Sequence, residues 1–285
     1  MGIKLQGDVL RKLQLEILDI LIEFDRICRK HHIQYYLSCG TLLGAVRHHG
    51  FIPWDDDADV ELPRSEYDKF RRVVKEEIGE GFFFQDTATD ANYRWPYGKM
   101  RKKNTRYARE GQNHLGQQDG ICIDVFPLDE IPDDFEIQKK MARKARYCRK
   151  ALWAAVGAVN LTDEVEKFKF SLLNGIPRDF ALEKYLEAVA CYQGQNMSCY
   201  GFFNTEAIPE FSFIYQKEWY SKPLELDFEG HKFFVPNGYD HILSLKYGDY
   251  LALPPKEKQK GNWDAEYIKL SDGTELFMDK GGETE

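Results

Sequence analysis

The chain has no run of about 18 apolar residues, the length a helix needs to cross a bilayer, so a helical membrane span is excluded. Its six cysteines, Cys28, Cys39, Cys122, Cys148, Cys191 and Cys199, include no CxxC pair and sit in apolar stretches. Buried free thiols are therefore expected, not a disulfide framework or a zinc site. Positive charge is also short: 39 Lys and Arg stand against 47 Asp and Glu, a formal net charge of -8. A nucleic-acid binder is disfavoured on that ground, and an anionic ligand must be met by local Arg and Lys. Low-complexity tracts and internal repeats are missing. Residues Met1 to Asp8 pass into an amphipathic pattern instead of a signal-peptide apolar stretch, so a cytoplasmic location is expected. With 285 residues, 43% of them hydrophobic, the chain can build a sizeable core in one large or two small domains.

What the chain does have is four aspartates within five positions, in Gly50-Phe51-Ile52-Pro53-Trp54-Asp55-Asp56-Asp57-Ala58-Asp59-Val60-Glu61-Leu62. Like charges this close raise one another's pKa and oppose folding unless a cation sits among them. From Asp57 the run alternates acidic with apolar, which in a strand puts Asp57 and Asp59 on one face and Ala58, Val60 and Leu62 on the other. Two carboxylates on one face suit a hard oxygen-seeking ion, Mg2+ or Mn2+, that keeps open positions for water and phosphates. Asp55 and Asp56, beyond that pair, are expected to matter less. A solvated acidic loop is the bland alternative, and the apolar flanks speak against it. An EF-hand register over Asp55, Asp57, Asp59 and Glu66 fails, because Val60 takes the place of the turn glycine and Pro63 interrupts the loop.

Helical periodicity runs from Val9 to Arg29, with Asp8 placed as its N-cap. A strand over Ile33–Leu37 then leads through Ser38-Cys39-Gly40-Thr41 into a short helix over Leu42–Arg47. Gly40 and Thr41 stand at a strand-to-helix turn, where a phosphate can approach unpaired backbone N–H groups at the positive end of the helix dipole. Arg47 is suited to a forked grip on phosphate, or to capping that helix. A helix over Pro63–Ile78 follows, then strands at Phe82–Phe84 and Trp95–Arg101; in the second, Lys99 and Arg101 share a face and could meet a diphosphate, or guard a sheet edge.

The stretch Gly120-Ile121-Cys122-Ile123-Asp124-Val125-Phe126-Pro127-Leu128-Asp129 is an apolar strand with a lone acid inside it. A buried carboxylate needs a metal or a hydrogen-bonded partner, which makes Asp124 the natural third acid. Asp129, between prolines, reads as a loop residue. Helical pattern fills Phe135–Val159, Val165–Leu173 and Pro177–Tyr192. Strand-like aromatic stretches return at Phe211–Tyr215 and Leu226–Pro236, and Asp240–Tyr247 reads as a helix stopped by Gly248. The expected parts are a core over 1–132, a helical segment over 133–200 and an aromatic-rich segment over 201–285 that packs back on the core.

The block from Ser38 to Val60, the Gly120–Asp129 strand, and Tyr247-Gly248-Asp249-Tyr250 with Leu253-Pro254-Pro255 resemble the LicD family of phosphocholine transferases, whose domain also occurs in fukutin-type phosphosugar transferases. That resemblance implies an α+β (mixed α/β) fold with a nucleotidyltransferase-like core sheet flanked by helices, a helical insert and a C-terminal α+β segment. It implies Asp57, Asp59 and Asp124 as catalytic acids and metal ligands, to which the residue pattern itself adds Mg2+ or Mn2+ as the ion and Gly40, Thr41, Arg47, Lys99 and Arg101 toward the donor. CDP-choline is the implied donor and a glycan or teichoic acid precursor the implied acceptor, with peripheral association at the inner membrane face. The residues themselves leave open a ribitol-phosphate, glycerol-phosphate or phosphoethanolamine donor, true nucleotidyl transfer, and a catalytically idle binding or scaffold domain. A quaternary ammonium would seek ring faces. Tyr93, Trp95, Tyr97, Trp153, Trp219 and Tyr220 are all candidates among abundant core aromatics.

Overall fold

A computed structural model describes residues 2–203 and 214–278. The first periodic stretch is α1 (Gly7–Lys30), whose stripe of Leu13, Ile17, Ile20, Leu21, Phe24 and Ile27 is buried. It starts before Asp8, which supplies first-turn negative charge and not the cap, while Arg29 and Lys30 occupy the last turn; both signs suit the helix dipole. Then come β1 (Tyr36–Leu37), α2 (Cys39–His48), β2 (Asp59–Pro63), α3 (Arg64–Glu77), β3 (Phe82–Gln85), β4 (Gly98–Lys102), β5 (Arg106–Arg109) and β6 (Cys122–Ile131). The helical segment is α4 (Phe135–Asn160), α5 (Glu164–Leu173) and α6 (Arg178–Val189). After it stand β7 (Cys199–Gly201), β8 (Ile214–Gln216), the hairpin β9 (Leu224–Phe228) and β10 (His231–Val235), α7 (Tyr239–Tyr247), β11 (Ala265–Lys269) and β12 (Glu275–Phe277). Of the strand read over Phe211–Tyr215, residues 211–213 lie outside the described residues.

The architecture is α+β. Its main sheet runs β1-β2-β6-β4-β3, with β7 joined to the far end of β6 and β8 to β7. The β2–β6 pairing is parallel and the rest are antiparallel. Strand β6 holds the sheet together: β2 and β4 pair with its earlier residues and β7 with its end. Helices α1 and α3 pack on this sheet and on each other, while α2 lies against β2, the β9 strand and α7. Val60, Val125, Met100 and Ile123 are fully buried and belong to the same core as the stripe of α1. A smaller apolar cluster joins Ile131 of β6 to Met141 and Ala145 of α4 and Tyr185 of α6. Helix α7 ends where Gly248 takes φ +65°, a conformation open to glycine. The described cysteines are free; Cys28, Cys148 and Cys199 are buried, but Cys191 is exposed. Among the described residues no helix is long and apolar enough to cross a membrane.

Asp129 departs from its loop reading. It sits within β6 with its side chain fully buried, and Arg64 at the start of α3 forks it through Nε at 2.7 Å and Nη2 at 3.0 Å. Of the two prolines that suggested a loop, Pro127 lies within β6 past Val125, where the ladder with β4 ends, and Pro132 follows the end of the strand. Removing one partner strands the other charge in the core, so Asp129→Ala should lose about 3–5 kcal/mol in urea unfolding. Arg64→Met with Asp129→Leu should recover most of that loss; a double variant as weak as the single would contradict the pairing.

Candidate active site

Sheet register builds the site. Parallel pairing sets Asp59 of β2 beside Asp124 of β6, and antiparallel pairing sets Lys99 of β4 on the other side of Asp124. Cross-strand partners share a face, so the three make one row over the sheet. Lys99 Nζ donates to Asp124 Oδ1 in a buried ion pair. Asp57 stands just before β2, in the loop and not in the strand as its alternation suggested, because the ladder with β6 begins at Asp59. There it accepts from Asn262 Nδ2 at 2.9 Å.

The first turn of α2 fixes the row from behind. Thr41 Oγ1 accepts the Asp59 N–H at 2.8 Å, so the hydroxyl sets where β2 begins. Gly40 lies inside that turn, and a Cβ there would meet Asp55 Oδ2 at 2.6 Å. What its missing side chain admits is the Asp55 carboxylate, at the helix end that favours negative charge. Asp56 is a buried anchor: it accepts from the Asn262 N–H at 2.9 Å, the Trp263 N–H at 3.3 Å and the Tyr107 hydroxyl at 3.2 Å. That holds the segment before β11 against the acidic loop.

A cavity of about 520 Å³ opens over the row. Asp57, Asp59, Asp124 and Asp264 line it together with Arg94, Arg109 and Arg149, and with Trp95, Tyr97 and Trp153. The stretches 1–132, 133–200 and 201–285 thus all contribute to one cavity. Of its arginines, Arg109 pairs with Asp264 at 3.2 Å, while Arg94 is half-buried, and burial, then the like charge of Arg178, lower its pKa. Lys99 and Arg101 line an adjoining cavity of about 180 Å³ that shares Trp95 and Arg109. Arg101 is buried there, donating to Gln85 Oε1 at 2.6 Å and to the Gly120 carbonyl at 2.5 Å. Arg47 does not line the larger cavity; it donates to the carbonyls of Tyr250 at 2.9 Å and Ala252 at 3.2 Å and ties down the Tyr247–Tyr250 turn.

Several cavity residues carried little signal. Arg149 stood out most, a charge among the buried Ala145, Cys148 and Leu152 on the apolar side of α4. Asn262 reaches the site through Asp56 and Asp57, and Asp264 through Arg109 and Tyr107, contacts distant in the chain that could not be found by pattern.

The acids repel one another. Burial first, then Asp56 and Asp124, push Asp57 up to about 6. Burial, then Asp57 and Asp124, hold Asp59 well above the ordinary carboxylate range, and burial, Asp57 and Asp56 do the same to Asp55. An oxygen-only donor set suits a hard divalent ion in its chemistry. In arrangement, no group of three or more His, Cys, Asp or Glu among the described residues is set to hold a metal ion. Recruiting Asp124 would require Lys99 to give it up.

In chelator-treated protein at pH 7.5, Asp57→Asn should therefore raise the thermal midpoint, by about 1–2 kcal/mol of relieved repulsion. A carboxyl with a raised folded pKa binds its proton more firmly folded than unfolded, so its charge opposes folding above about pH 6 and not below about pH 4. The gain should shrink across that interval as pH falls. A lowered midpoint at pH 7.5 would contradict the repulsion.

The LicD/FKTN/FKRP nucleotidyltransferase domain matches residues 32–152. The chain is 35% identical to the lipopolysaccharide cholinephosphotransferase LicD of Haemophilus influenzae over 263 residues, 88% of this chain and 94% of that protein. It is also 32% identical over 132 residues to an uncharacterised protein of Rickettsia prowazekii, 46% of this chain and 40% of that one. The near-complete coverage of the Haemophilus protein, together with the domain match over the stretch that carries the acid row, shows that this chain belongs to the LicD family.

Proposed function

We propose that this chain transfers phosphocholine from CDP-choline to a hydroxyl of a surface glycan or teichoic acid precursor, using Mg2+ or Mn2+ held by Asp57, Asp59 and Asp124. The observation that carries this reading is the similarity to the lipopolysaccharide cholinephosphotransferase across 94% of its length. The cavity supports it, joining carboxylates, arginines and rings around a space large enough for a phosphorylated small molecule.

In this reading the acceptor oxygen forms a bond to the choline-bearing phosphorus. The bond from that phosphorus to the oxygen bridging the two phosphates breaks, and CMP departs with the electron pair. Asp124 receives the proton of the acceptor hydroxyl. A bound divalent ion would neutralise the phosphate oxygens and the charge developing on CMP. Lys99, once off Asp124, and Arg94 in the cavity wall supply the remaining positive charge to the phosphates. Thr41 and Asn262 keep Asp59 and Asp57 turned to the reaction.

The deciding experiment is a donor screen of the purified protein with Mg2+, following CMP release from CDP-choline, CDP-ethanolamine, CDP-ribitol and CDP-glycerol, with CTP as control. CDP-choline should be preferred, chelator should stop the reaction, and Asp59→Asn should reduce it about 100-fold or more. Arg94→Gln should weaken donor binding more than tenfold, on the order of 1.5–3 kcal/mol for a charge-assisted hydrogen bond. A preference for CDP-ribitol or CDP-glycerol would move the activity to polyol phosphates. Pyrophosphate release from CTP would replace it with nucleotidyl transfer.

A further inference from the structure

Four rings line the carboxylate cavity, Trp95, Tyr97, Phe126 and Trp153; Trp95 and Trp153 each have a further ring behind them, and Tyr97 packs on Phe126. Trp95 lies on Tyr93 with centroids 5.5 Å apart, Tyr97 on Phe126 at 4.6 Å, and Trp153 meets the Phe170 ring of α5 edge-on at 5.1 Å. The braces Tyr93, Phe126 and Phe170 are buried, while Trp95 and Trp153 keep part of their surface open. Rings backed in this way are fixed before a ligand arrives, which lowers the cost of ordering them on binding. The other candidate aromatics are placed elsewhere: Trp219 stacks on His241 at 5.2 Å, and the Tyr220 hydroxyl is spent on Glu61 at 2.8 Å.

The same cavity holds four carboxylates. A primary ammonium, with three N–H donors, would be drawn to these. A trimethylammonium has no N–H to donate and an apolar methyl surface, and its charge is attracted to ring faces. We infer that Trp95, Tyr97 and Trp153 form a quaternary-ammonium subsite, built jointly by the core and by α4, that selects choline over ethanolamine on the donor. This rests on the phosphocholine reading and names the residues that would give it its specificity. Trp153 ties the subsite to the helical segment, so α4 acts in donor choice as well as in packing against α5 and α6.

The test is calorimetric binding of phosphocholine, phosphoethanolamine and CMP to the full-length protein, wild type and variants, alongside CMP release from CDP-choline by the wild type. Trp95→Leu and Trp153→Leu should weaken phosphocholine at least about fivefold, and about 30-fold at the strong end of such interactions, while phosphoethanolamine and CMP change less than twofold. Trp95→Phe and Trp153→Phe, which keep a ring, should restore most of the affinity. Because Trp153 also supports α5, Trp95→Leu decides the matter if Trp153→Leu fails to fold. Phosphocholine binding unchanged in the leucine variants would overturn the subsite, as would CMP weakened in its place, which would make the rings a base-stacking wall. Loss of the subsite with CDP-choline still turned over by the wild type leaves the phosphocholine reading standing; no turnover of CDP-choline overturns that reading.

Discussion

The parallel pairing of β2 with β6 is the constraint on which the rest depends. It fixes Asp59 against Asp124, and the antiparallel pairing of β4 then fixes Lys99 on the far side of the same acid. A slip of one residue in either strand would turn the acid to the opposite face. The register is held from both ends: Arg64 grips Asp129 below the site, and Thr41 receives the Asp59 N–H above it. Buried, specific polar contacts thus set the register that apolar packing alone would leave less well determined.

Charge is the second organising feature. The chain carries an acidic excess, and its acidic loop is packed so that three carboxyls are pushed toward protonation. Yet the four aspartates of that loop are not equivalent. Asp56 is consumed by the Asn262 and Trp263 N–H groups and by Tyr107, and so fastens the segment before β11. Asp55 lies against the first turn of α2, where only a glycine at position 40 leaves room. Asp57 and Asp59 open to the cavity. A local run of like charge is thereby divided into two residues that shape the site and two that face it.

Much of this was legible in the sequence because it rests on local pattern. The 26-residue α4, the stop of α7 at Gly248 and the acid inside β6 follow from periodicity, glycine conformation and a charge in an apolar run. Asp57, Asp59 and Asp124 were singled out the same way, and they share one cavity. What escaped depends on contacts far apart in the chain. Asn262 meets Asp57 across 205 positions, and Arg47 finds the Tyr250 carbonyl across 203. Asp129 looked like a loop residue between prolines because nothing local announces Arg64, 65 positions earlier, as its partner. Arg47, which stands in the Ser38–Val60 block, and Arg101, which shares a strand face with Lys99 by alternation, have their guanidinium groups committed to carbonyls and to Gln85, whereas Arg94 lines the cavity from a stretch with no regular period.

The proposed function requires the acid row to take up a divalent ion together with a nucleotide-linked donor. Its most direct test is electron paramagnetic resonance of Mn2+ titrated into the chelator-stripped protein with and without CDP-choline. Bound Mn2+ should appear, its affinity should rise when CDP-choline is present, and Asp59→Asn and Asp124→Asn should each abolish the bound signal while the fold is retained. Free Mn2+ throughout the titration of a folded wild-type protein, with donor present, would contradict it.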